Sequence, residues 1–351
     1  MEGNLFNCQI KNPRILITGG AGFIGSALIR NLLINTSCYI FNLDKISYAS
    51  DLTSIEETLK KLGQKNSSRY KLLKVNLLNS NDTYSAIKFA NPDYVLHLAA
   101  ESHVDRSIEG PKVFIESNIL GTFNLLESVR KYYSNCDPRK KEYFRFLHIS
   151  TDEVFGSLGS EGNFNELSRY DPRSPYSASK AASDHIVNAW YHTFGLPILI
   201  TNCSNNYGPW QHAEKLIPKI IINALNKCKI PIYGNGENIR DWLYVDDHIS
   251  GILKVLNEGE IGEKYCIGGN QEKTNNEVVN SILAILDREV PQNYSYKELI
   301  TYVNDRLGHD KRYAIDSSKI RSQLNWKPKY SLKKGLICTV KWYVENFRRK
   351  I

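Results

Sequence analysis

The stretch RILITGGAGFIGSALIRNLLI, residues 14–34, decides the fold. It is predicted to form a buried strand, a glycine-rich turn and then a helix. This order places backbone N–H groups and the positive end of the helix dipole around a phosphate. Gly19 permits the tight turn, Gly22 lets the backbone approach a pyrophosphate, and Gly25 allows close packing of the helix on the strand. The spacing is G-x-x-G-x-x-G rather than G-x-G-x-x-G, so the turn alone is a weak sign of dinucleotide binding.

Strands and helices continue to alternate beyond this unit. Such alternation is typical of a parallel, doubly wound sheet, which binds ligands at the carboxyl ends of its strands. Further strands are predicted at residues 39–43, 70–75, 94–98, 144–149 and 196–201, with helices at 51–62, 81–89 and 111–133.

The alternation becomes less regular after residue 200. Helices are predicted there at residues 215–226, 275–286 and 332–347, and strands at 230–234 and 240–245. The predicted fold class is therefore α/β. We expect a Rossmann-type doubly wound parallel sheet over residues 13–200, with the catalytic residues, and a smaller mixed α/β C-terminal substrate domain over residues 201–347. The boundary is soft, and some C-terminal segments are expected to return to the first domain.

Asp44 follows a predicted strand about twenty residues past the glycine turn, where a carboxylate can accept hydrogen bonds from the adenosine ribose hydroxyls. It would also repel a 2′-phosphate. The sequence therefore favours NAD over NADP, although the neighbouring Lys45 weakens that preference. In the alternative interpretation Asp44 only ends a strand and begins a loop.

Tyr176 and Lys180 lie four residues apart in SPYSASK, residues 174–180. Ser174 can cap a helix and Pro175 suits its first turn, so both side chains would share one helical face. The Lys180 ammonium and the helix dipole would then lower the pKa of the Tyr176 phenol from about 10 toward neutrality. Tyr176 is therefore a candidate base, although a tyrosine and a lysine also fall four apart by chance.

Thr151, Asp152 and Glu153 follow the predicted strand 144–149. Thr151 can hydrogen-bond a sugar hydroxyl. Two adjacent carboxyl groups offer one acid and one base if their environments separate their pKa values. In isolation, adjacent acids in a loop are more often solvent-facing or helix-capping. His103, after the strand 94–98, is predicted either to contact substrate or to stabilise its loop.

Composition limits the class of protein. The net charge of +8 is spread along the chain without a clustered basic face, so we expect no nucleic-acid partner. The seven cysteines form no Cys-x-x-Cys pair or zinc pattern, which favours a reducing compartment and no metal site. Residues 1–12 are polar and lack the apolar segment of a signal peptide, and no apolar run reaches membrane-spanning length. A cytoplasmic protein is expected.

With these motifs in order, the chain strongly resembles the extended short-chain dehydrogenase/reductase superfamily. Within it, the chain is similar to the nucleotide-diphosphate-glucose 4,6-dehydratases, notably the dTDP-glucose enzymes of bacterial rhamnose synthesis. The resemblance runs from about residue 13 to 347 and implies a homodimer packed through helices that include residues 111–133 and 177–191. It is carried by residues 18–25, 98–107, 150–156, 176–180, 202–209, 214–218, 239–245 and 305–316.

The resemblance also implies the binding residues. NAD would lie on Gly19, Gly22, Phe23, Ile24, Gly25, Asp44, Lys45, Asn76, Leu77, Leu98, Ala99, Ala100, Asn118, Tyr176, Lys180 and Asn206. The nucleotide-diphosphate sugar would lie on Ser102, His103, Thr151, Asn205, Lys215, Leu216, Pro231, Tyr233, Arg240, Asn275, Asp305, Arg306 and His309. Tyr233 would lie beside the base.

The mechanism implied by the resemblance is a net dehydration. Tyr176, as phenolate, removes the glucose 4-hydroxyl proton while the C4 hydride passes to NAD. Glu153 then takes the C5 proton and protonated Asp152 donates to the departing C6 hydroxyl, before the hydride returns to C6. Thymine and uracil substrates both stay open. The alternatives are a nucleotide-sugar 4-epimerase, a UDP-glucuronate decarboxylase, and an NAD-binding regulator without catalysis.

Three positions depart from the family pattern, which usually has aspartate, proline and proline where this chain has Asn76, Ala213 and Leu307. Losing two fixed φ angles could loosen the loops over the nucleotide. These departures therefore bear on affinity and base preference and leave the catalytic set intact.

Overall fold

The computed structural model describes residues 10–348, and residues 1–9 and 349–351 lie outside it. The predicted signal-free segment 1–12 is therefore mostly outside the described residues. The strands are β1 (Arg14–Thr18), β2 (Tyr39–Asp44), β3 (Tyr70–Lys74), β4 (Tyr94–His97), β5 (Arg145–Thr151), β6 (Ile198–Cys203), β7 (Asn205–Tyr207), β8 (Ile230–Tyr233), β9 (Ile239–Tyr244), β10 (Lys264–Ile267), β11 (Glu272–Thr274) and β12 (Ile300–Val303).

Fourteen α-helices are assigned among the described residues, with a π-helical segment at Ile115–Leu120 and 3₁₀ turns at Asp152–Phe155 and Tyr296–Leu299. The helices are α1 (Phe23–Asn35), α2 (Thr53–Leu62), α3 (Gln64–Ser67), α4 (Ser80–Ala90), α5 (Val104–Glu109), α6 (Pro111–Phe114), α7 (Gly121–Ser134), α8 (Pro138–Tyr143), α9 (Pro175–Phe194), α10 (Leu216–Leu225), α11 (Val245–Glu258), α12 (Asn275–Glu289), α13 (Ser318–Leu324) and α14 (Leu332–Arg348).

The large sheet has seven parallel strands in the order β10-β6-β5-β4-β1-β2-β3. The strand order reverses between β1 and β4, and such a reversal opens a ligand-binding crevice at the carboxyl ends. The glycine turn follows β1 at this edge, and β5 delivers Thr151 there. The predicted Rossmann-type sheet is confirmed.

Both faces of the large sheet are covered by helices. Ile15 and Ile17 of β1 belong to an apolar cluster with α1 and α11, while Leu16 belongs to the cluster on the opposite face with α4, α7 and α9. All three side chains are fully buried. Successive residues of a strand point to opposite faces, so a strand buried on both sides needs apolar residues at consecutive positions, as β1 has at residues 15–17.

The C-terminal region builds two small sheets, β11-β9-β7 and β12-β8, covered by α10, α12 and α14. Strand β10 leaves this region and pairs in parallel with β6 at the edge of the large sheet. The predicted boundary near residue 200 falls inside β6. The division into two domains at that point stays a prediction.

The predicted helix at residues 111–133 exists but is not a continuous α-helix. Its residues Ile115–Leu120 form a π-helical segment between α6 and α7. Segments of this kind concentrate at functional sites. Apolar periodicity could not reveal it, because one wider turn barely changes the pattern. The elements that were not predicted are helices α3, α5, α8, α11 and α13 and strands β7, β10, β11 and β12.

Within residues 10–348, none of the helices has both the length and the apolar character that crossing a membrane requires.

Candidate active site

Helix α9 presents Tyr176 and Lys180 at the carboxyl edge of the large sheet. Its first turn is fixed by a capping box, in which the Ser177 N–H donates to Ser174 Oγ at 3.1 Å and the Ser174 N–H donates to Ser177 Oγ at 3.0 Å. Pro175 occupies the first turn, as predicted. Both Tyr176 and Lys180 are buried.

The Lys180 ammonium is held beneath the site by β5. Its Nζ donates to the backbone oxygen of Ile149 at 3.0 Å and lies 3.3 Å from Nε2 of His148. Burial lowers the pKa of Lys180, while the nearby Asp184 raises it. The lysine therefore joins α9 to the strand that carries the carboxyl groups.

The predicted lowering of the Tyr176 pKa is wrong for the protein without ligands. Burial is the largest influence and raises the pKa of the phenol well above 10, and the charge of Glu153 raises it further. A hydrogen bond with the Thr151 side chain lowers it without overcoming the burial. The lysine and the helix dipole favour the phenolate, but they do not compensate for the loss of water around the ring.

Asp152 is the most protected acid of the site, with 1% of its surface exposed. It begins the 3₁₀ turn after β5, and Thr151 Oγ1 donates to its Oδ1 at 3.3 Å. Among the described residues, its Oδ2 has no hydrogen-bond partner. Burial, followed by the charge of Glu153, raises the pKa of Asp152 well above its ordinary value. The carboxyl group is therefore poised to hold a proton.

Glu153 lies beside it in a different electrostatic environment. Burial raises its pKa, but the charges of Arg306, Lys215 and Arg240 act in the opposite direction. Three cations favour the carboxylate form of Glu153. The two carboxyl groups thus have separate environments, which acid and base roles require.

Gly19 and Gly25 of the glycine turn leave no room for a side chain. A Cβ atom on Gly25 would lie 2.3 Å from the backbone oxygen of Gly19, and one on Gly19 would lie 2.6 Å from the Ala99 nitrogen. Gly19 also has a φ of +71°, which favours glycine. The turn therefore keeps α1 close to β1 and leaves the backbone free to approach a ligand.

Asp44 is both a loop anchor and part of the cavity wall. Its Oδ2 accepts the Ala21 N–H at 3.0 Å, and its Oδ1 accepts the Ile46 N–H at 2.8 Å. The Lys45 ammonium beside it lies 2.6 Å from Glu101 Oε1. This ion pair offsets the lysine charge next to the predicted ribose position.

One cavity of about 360 Å³ lies at the crevice. It brings together most of the residues that the sequence singled out, from the glycine turn to α10. Those lining it are Gly19, Gly22, Phe23, Ile24, Gly25, Asp44, Lys45, Asn76, Leu77, Leu98, Ala99, Ala100, Ser102, Thr151, Asp152, Glu153, Tyr176, Lys180, Asn205, Asn206, Lys215 and Leu216.

The remaining predicted residues do not line this cavity. They are Asn118, His103, Pro231, Tyr233, Arg240, Asn275, Asp305, Arg306 and His309. Asn118 instead lies buried in the π-helical segment. It accepts the Glu101 N–H at 2.8 Å and donates to Ser179 Oγ at 2.8 Å, so it fixes the loop after β4 against α9. Its predicted cofactor contact stays a prediction.

The predicted substrate residues of the C-terminal region meet α5 across the crevice. Arg306 Nη1 and the Tyr233 hydroxyl both donate to the Asp105 carboxylate, at 3.3 and 3.1 Å. His103 Nε2 lies 3.2 Å from Glu214 Oε2, which supports a role in stabilising its loop.

Three further predicted positions lie farther along this region. Arg240 is buried and donates to the backbone oxygens of Asp310 and its own neighbour Ile239. His309 Nδ1 lies 2.6 Å from Asp305 Oδ1. Pro231 lies in β8 and Asn275 begins α12.

Sequence reasoning missed several cavity residues. Glu101 and Cys203 lie within the matching stretches 98–107 and 202–209, shortly after β4 and at the end of β6, so their position near strand ends was an available signal. Gln211, His212 and Trp242 reach the cavity through tertiary packing that no local pattern reports.

A doubly wound parallel sheet with a glycine turn after β1, and with Tyr176 and Lys180 on one face of a helix at its carboxyl edge, defines a short-chain dehydrogenase/reductase. The model of the family described as GDP-mannose 4,6 dehydratase matches residues 16–338. The chain belongs to this family.

Relatives with assigned activities span nearly the whole chain. A probable dTDP-glucose 4,6-dehydratase of Sinorhizobium fredii is 51% identical over 333 residues, covering 95% of this chain and 93% of the relative. The dTDP-glucose 4,6-dehydratase of Salmonella typhimurium is 51% identical with the same coverage. A Streptomyces venezuelae dTDP-glucose 4,6-dehydratase, crystallised with NAD and TYD bound, has a TM-score of 0.86 and 39% identity over 96% of this chain and 98% of its own.

The raised pKa of Asp152 makes a prediction about stability. A carboxyl group whose pKa is higher in the folded than in the unfolded state binds more protons when folded, so stability falls as pH rises above its unfolded pKa. We expect Asp152→Asn to increase the free energy of unfolding by on the order of 1 kcal/mol at neutral pH.

Urea unfolding of both proteins from pH 4 upward measures this effect, with the gain growing as pH rises. Glu161→Gln, at an exposed loop position, is the matched control and should leave the pH dependence unchanged. An Asp152→Asn gain that is the same at every pH would contradict the assignment.

Proposed function

We propose that the protein is an NAD-dependent dTDP-glucose 4,6-dehydratase, a hydro-lyase that forms a 4-keto-6-deoxy nucleotide sugar. One observation carries the proposal: a buried Asp152 whose pKa is raised, and a Glu153 that is under the charge of three cations, line the same cavity as Tyr176 and Lys180. Elimination of water needs an acid and a base together with an oxidising site. The names of the relatives support the same activity.

The residues present fit NAD. The turn at Gly19 and Gly25 is a cradle that any Cβ would fill, and such turns bind pyrophosphates. Asp44 would accept hydrogen bonds from the ribose hydroxyls, and Glu101 pairs with the Lys45 ammonium that would otherwise attract a 2′-phosphate. When bound, NAD supplies the nicotinamide that accepts the C4 hydride and returns it to C6.

Tyr176 is the proposed base for the glucose 4-hydroxyl. In the protein without ligands it holds its proton, because burial raises the pKa of the phenol. We infer that it ionises only when the site is filled and positive charge is added near the ring. Thr151, which hydrogen-bonds the phenol, would keep the hydroxyl oriented toward the sugar.

Asp152 and Glu153 are the proposed acid and base of the elimination. The 4-keto group acidifies the C5 hydrogen, so Glu153 can take that proton as a carboxylate. Asp152 gives its proton to the departing C6 hydroxyl, and one water leaves. Positioned acid–base steps of this kind contribute roughly 10²–10⁴-fold each.

The nucleotide sugar is proposed to extend from the cavity toward α5 and the C-terminal region. Lys215 lines the cavity, while Arg306 and Arg240 act on the charge of Glu153 from beyond it. Guanidinium groups match phosphate oxygens, so these arginines suit the diphosphate. Thymine is proposed over uracil because the relatives are named as dTDP-glucose enzymes. The methyl group that distinguishes the two bases changes binding by only about 1–3 kcal/mol.

The product would be a step toward rhamnose or a related deoxysugar, and the enzyme is proposed to act in the cytoplasm. The alternatives within the fold are a 4-epimerase and a UDP-glucuronate decarboxylase. Neither needs an acid to expel water, so the environment of Asp152 favours the dehydratase. A regulator without catalysis would have no use for the paired carboxyl groups.

The proposed homodimer would pack through α7, the π-helical segment before it and α9. These elements expose large apolar side chains, among them Leu120 at 48%, Phe123 at 42% and Phe194 at 46%. Phe123 and Phe194 both pack edge-on against Trp190, which places them on one continuous surface. Contiguous exposed apolar surface of this kind marks protein–protein interfaces.

The activity is tested by incubating the purified protein with dTDP-glucose and, separately, UDP-glucose, with and without added NAD. Mass spectrometry should show a product lighter by one water, formed with the higher kcat/KM from dTDP-glucose. Glu153→Gln should lower kcat by roughly 10²–10⁴-fold, whereas the exposed control Glu161→Gln should not. A product of unchanged mass would indicate an epimerase, and no reaction of either substrate with NAD supplied would refute the proposal.

NAD binding depends on the glycine turn. We expect Gly25→Ala to weaken NAD binding at least about tenfold, or about 1.4 kcal/mol, because its Cβ would displace the Gly19 backbone. Gly159→Ala, whose Cβ would meet no atom within 4 Å, is the control. Calorimetric titration of both variants measures the difference, and equal affinities would contradict the assigned cradle.

The dimer surface is tested by Phe123→Glu, which should convert a dimer to single chains because it places a charge in a desolvated contact. Leu167→Glu is the matched control, since Leu167 is 92% exposed in a separate loop. Sedimentation velocity gives the mass of each. A wild-type mass equal to one chain would exclude the dimer.

A further inference from the structure

Lys180 lies close to two buried polar residues to which the proposed mechanism gives no role. His148 on β5 and Asp184 on α9 are both buried and lie behind the lysine, away from the cavity. Lys180 and Asp184 are four residues apart on α9, so they share one helical face. Burying three ionisable groups together costs folding free energy unless opposite charges lie close enough to stabilise each other.

The His148 ring lies between Lys180 and Asp184. Lys180 Nζ lies 3.3 Å from His148 Nε2, and that nitrogen lies 3.1 Å from Asp184 Oδ1. The other oxygen of Asp184 accepts the Tyr170 hydroxyl at 2.8 Å and the Asn202 side-chain N–H at 3.1 Å. Hydrogen bonds from the loop that holds Tyr170 and from β6 therefore hold the Asp184 carboxylate in place.

The protonation states follow from these surroundings. Burial lowers the pKa of His148 to about 4, so the ring is neutral at pH 7. Burial alone would raise the pKa of Asp184, but His148 beside it and the charge of Lys180 lower it below its ordinary value. His148 is then uncharged, and Asp184 is the anion that balances the buried ammonium.

We propose that Asp184 is a positioning residue: as the buried counter-ion of Lys180, it keeps the ammonium bound to the Ile149 carbonyl beneath Tyr176. The proposal rests on the proposed function, in which Tyr176 must lose its proton. Without Asp184 the buried ammonium would lack a counter-ion and would lose its own proton near neutral pH. A neutral Lys180 would no longer favour the Tyr176 phenolate.

Other titratable groups also face Lys180. Cys203 approaches from β6, and the His97 ring on β4 lies 5.1 Å from the ring of His148. His97 is neutral because burial lowers its pKa, and both its nitrogens contact threonine hydroxyls rather than Lys180. Asp184 is thus the one carboxylate that acts on the pKa of Lys180 within the described residues.

The test compares the wild type with Asp184→Asn. We expect the acid limb of kcat/KM to move to higher pH by about one unit, because Tyr176 becomes harder to ionise. If Asp184 acted only as a negative charge near Tyr176, its removal would ease ionisation and move the limb to lower pH. A limb that moves down or stays in place would overturn the proposal.

His97→Gln is the matched control, a buried histidine on the neighbouring strand without contact to Lys180, and should leave the limb in place. Asp184→Ser covers the case in which Asp184→Asn does not fold. It also removes the carboxylate while keeping a small polar side chain, and it should move the limb in the same direction. An unchanged limb in this variant would also overturn the proposal.

An activity-independent measurement separates this proposal from the proposed function. The phenolate absorbance of each NAD-loaded protein is titrated against its Tyr176→Phe counterpart, which isolates one tyrosine. Asp184→Asn should raise the pH at which that tyrosine ionises. If the wild type does not dehydrate dTDP-glucose but the shift appears, only the proposed function fails. If dehydration occurs and no shift appears, only this inference fails.

Discussion

The hydrogen bond from Lys180 to the backbone oxygen of Ile149 aligns the two elements that make the site. Helix α9 carries Tyr176 and Lys180, and β5 delivers Thr151, Asp152 and Glu153 at its end. Each element is regular on its own, but the acid–base set exists only in their relative position. Because the contact is made by a main-chain acceptor inside the large sheet, the lysine is fixed by the fold rather than by another mobile side chain. The capping box at Ser174 fixes the first turn of α9, which carries Tyr176.

Desolvation is the common cause of the unusual electrostatics at this edge. It raises the pKa values of both Asp152 and Tyr176 and lowers that of Lys180. Proteins spend folding stability to hold such groups away from water, which is why perturbed pKa values mark functional sites. What distinguishes Glu153 from Asp152 is the number of cations nearby, not the depth of burial alone. Two adjacent residues of the chain thereby acquire different chemistry.

Much of the fold followed from local patterns, since strand and helix periods repeat over short distances. The glycine turn, β1 to β6 and the start of α9 were predictable because apolar alternation and capping residues lie within a few positions of each other. The return of β10 to the large sheet and the π-helical segment holding Asn118 depend on contacts far along the chain. The predicted pKa of Tyr176 failed for the same reason: neighbours in sequence were known, but the burial of the ring was not. The residues around the cavity were located largely through the family resemblance, and local reasoning missed Gln211, His212 and Trp242.

The late arrival of β10 affects how the protein is made. Strand β6 is an unpaired edge until residues 264–267 are available, so a nascent chain that has emerged only to residue 203 carries an unfinished sheet with an apolar border. Edges of this kind pair readily with other chains. Synthesis proceeds from the N-terminus at about 5–20 residues per second, so this edge stays open for several seconds. The Rossmann-type sheet is therefore complete only after residues 264–267 have been translated. A chain that ends between β6 and β10 would keep an unpaired edge strand.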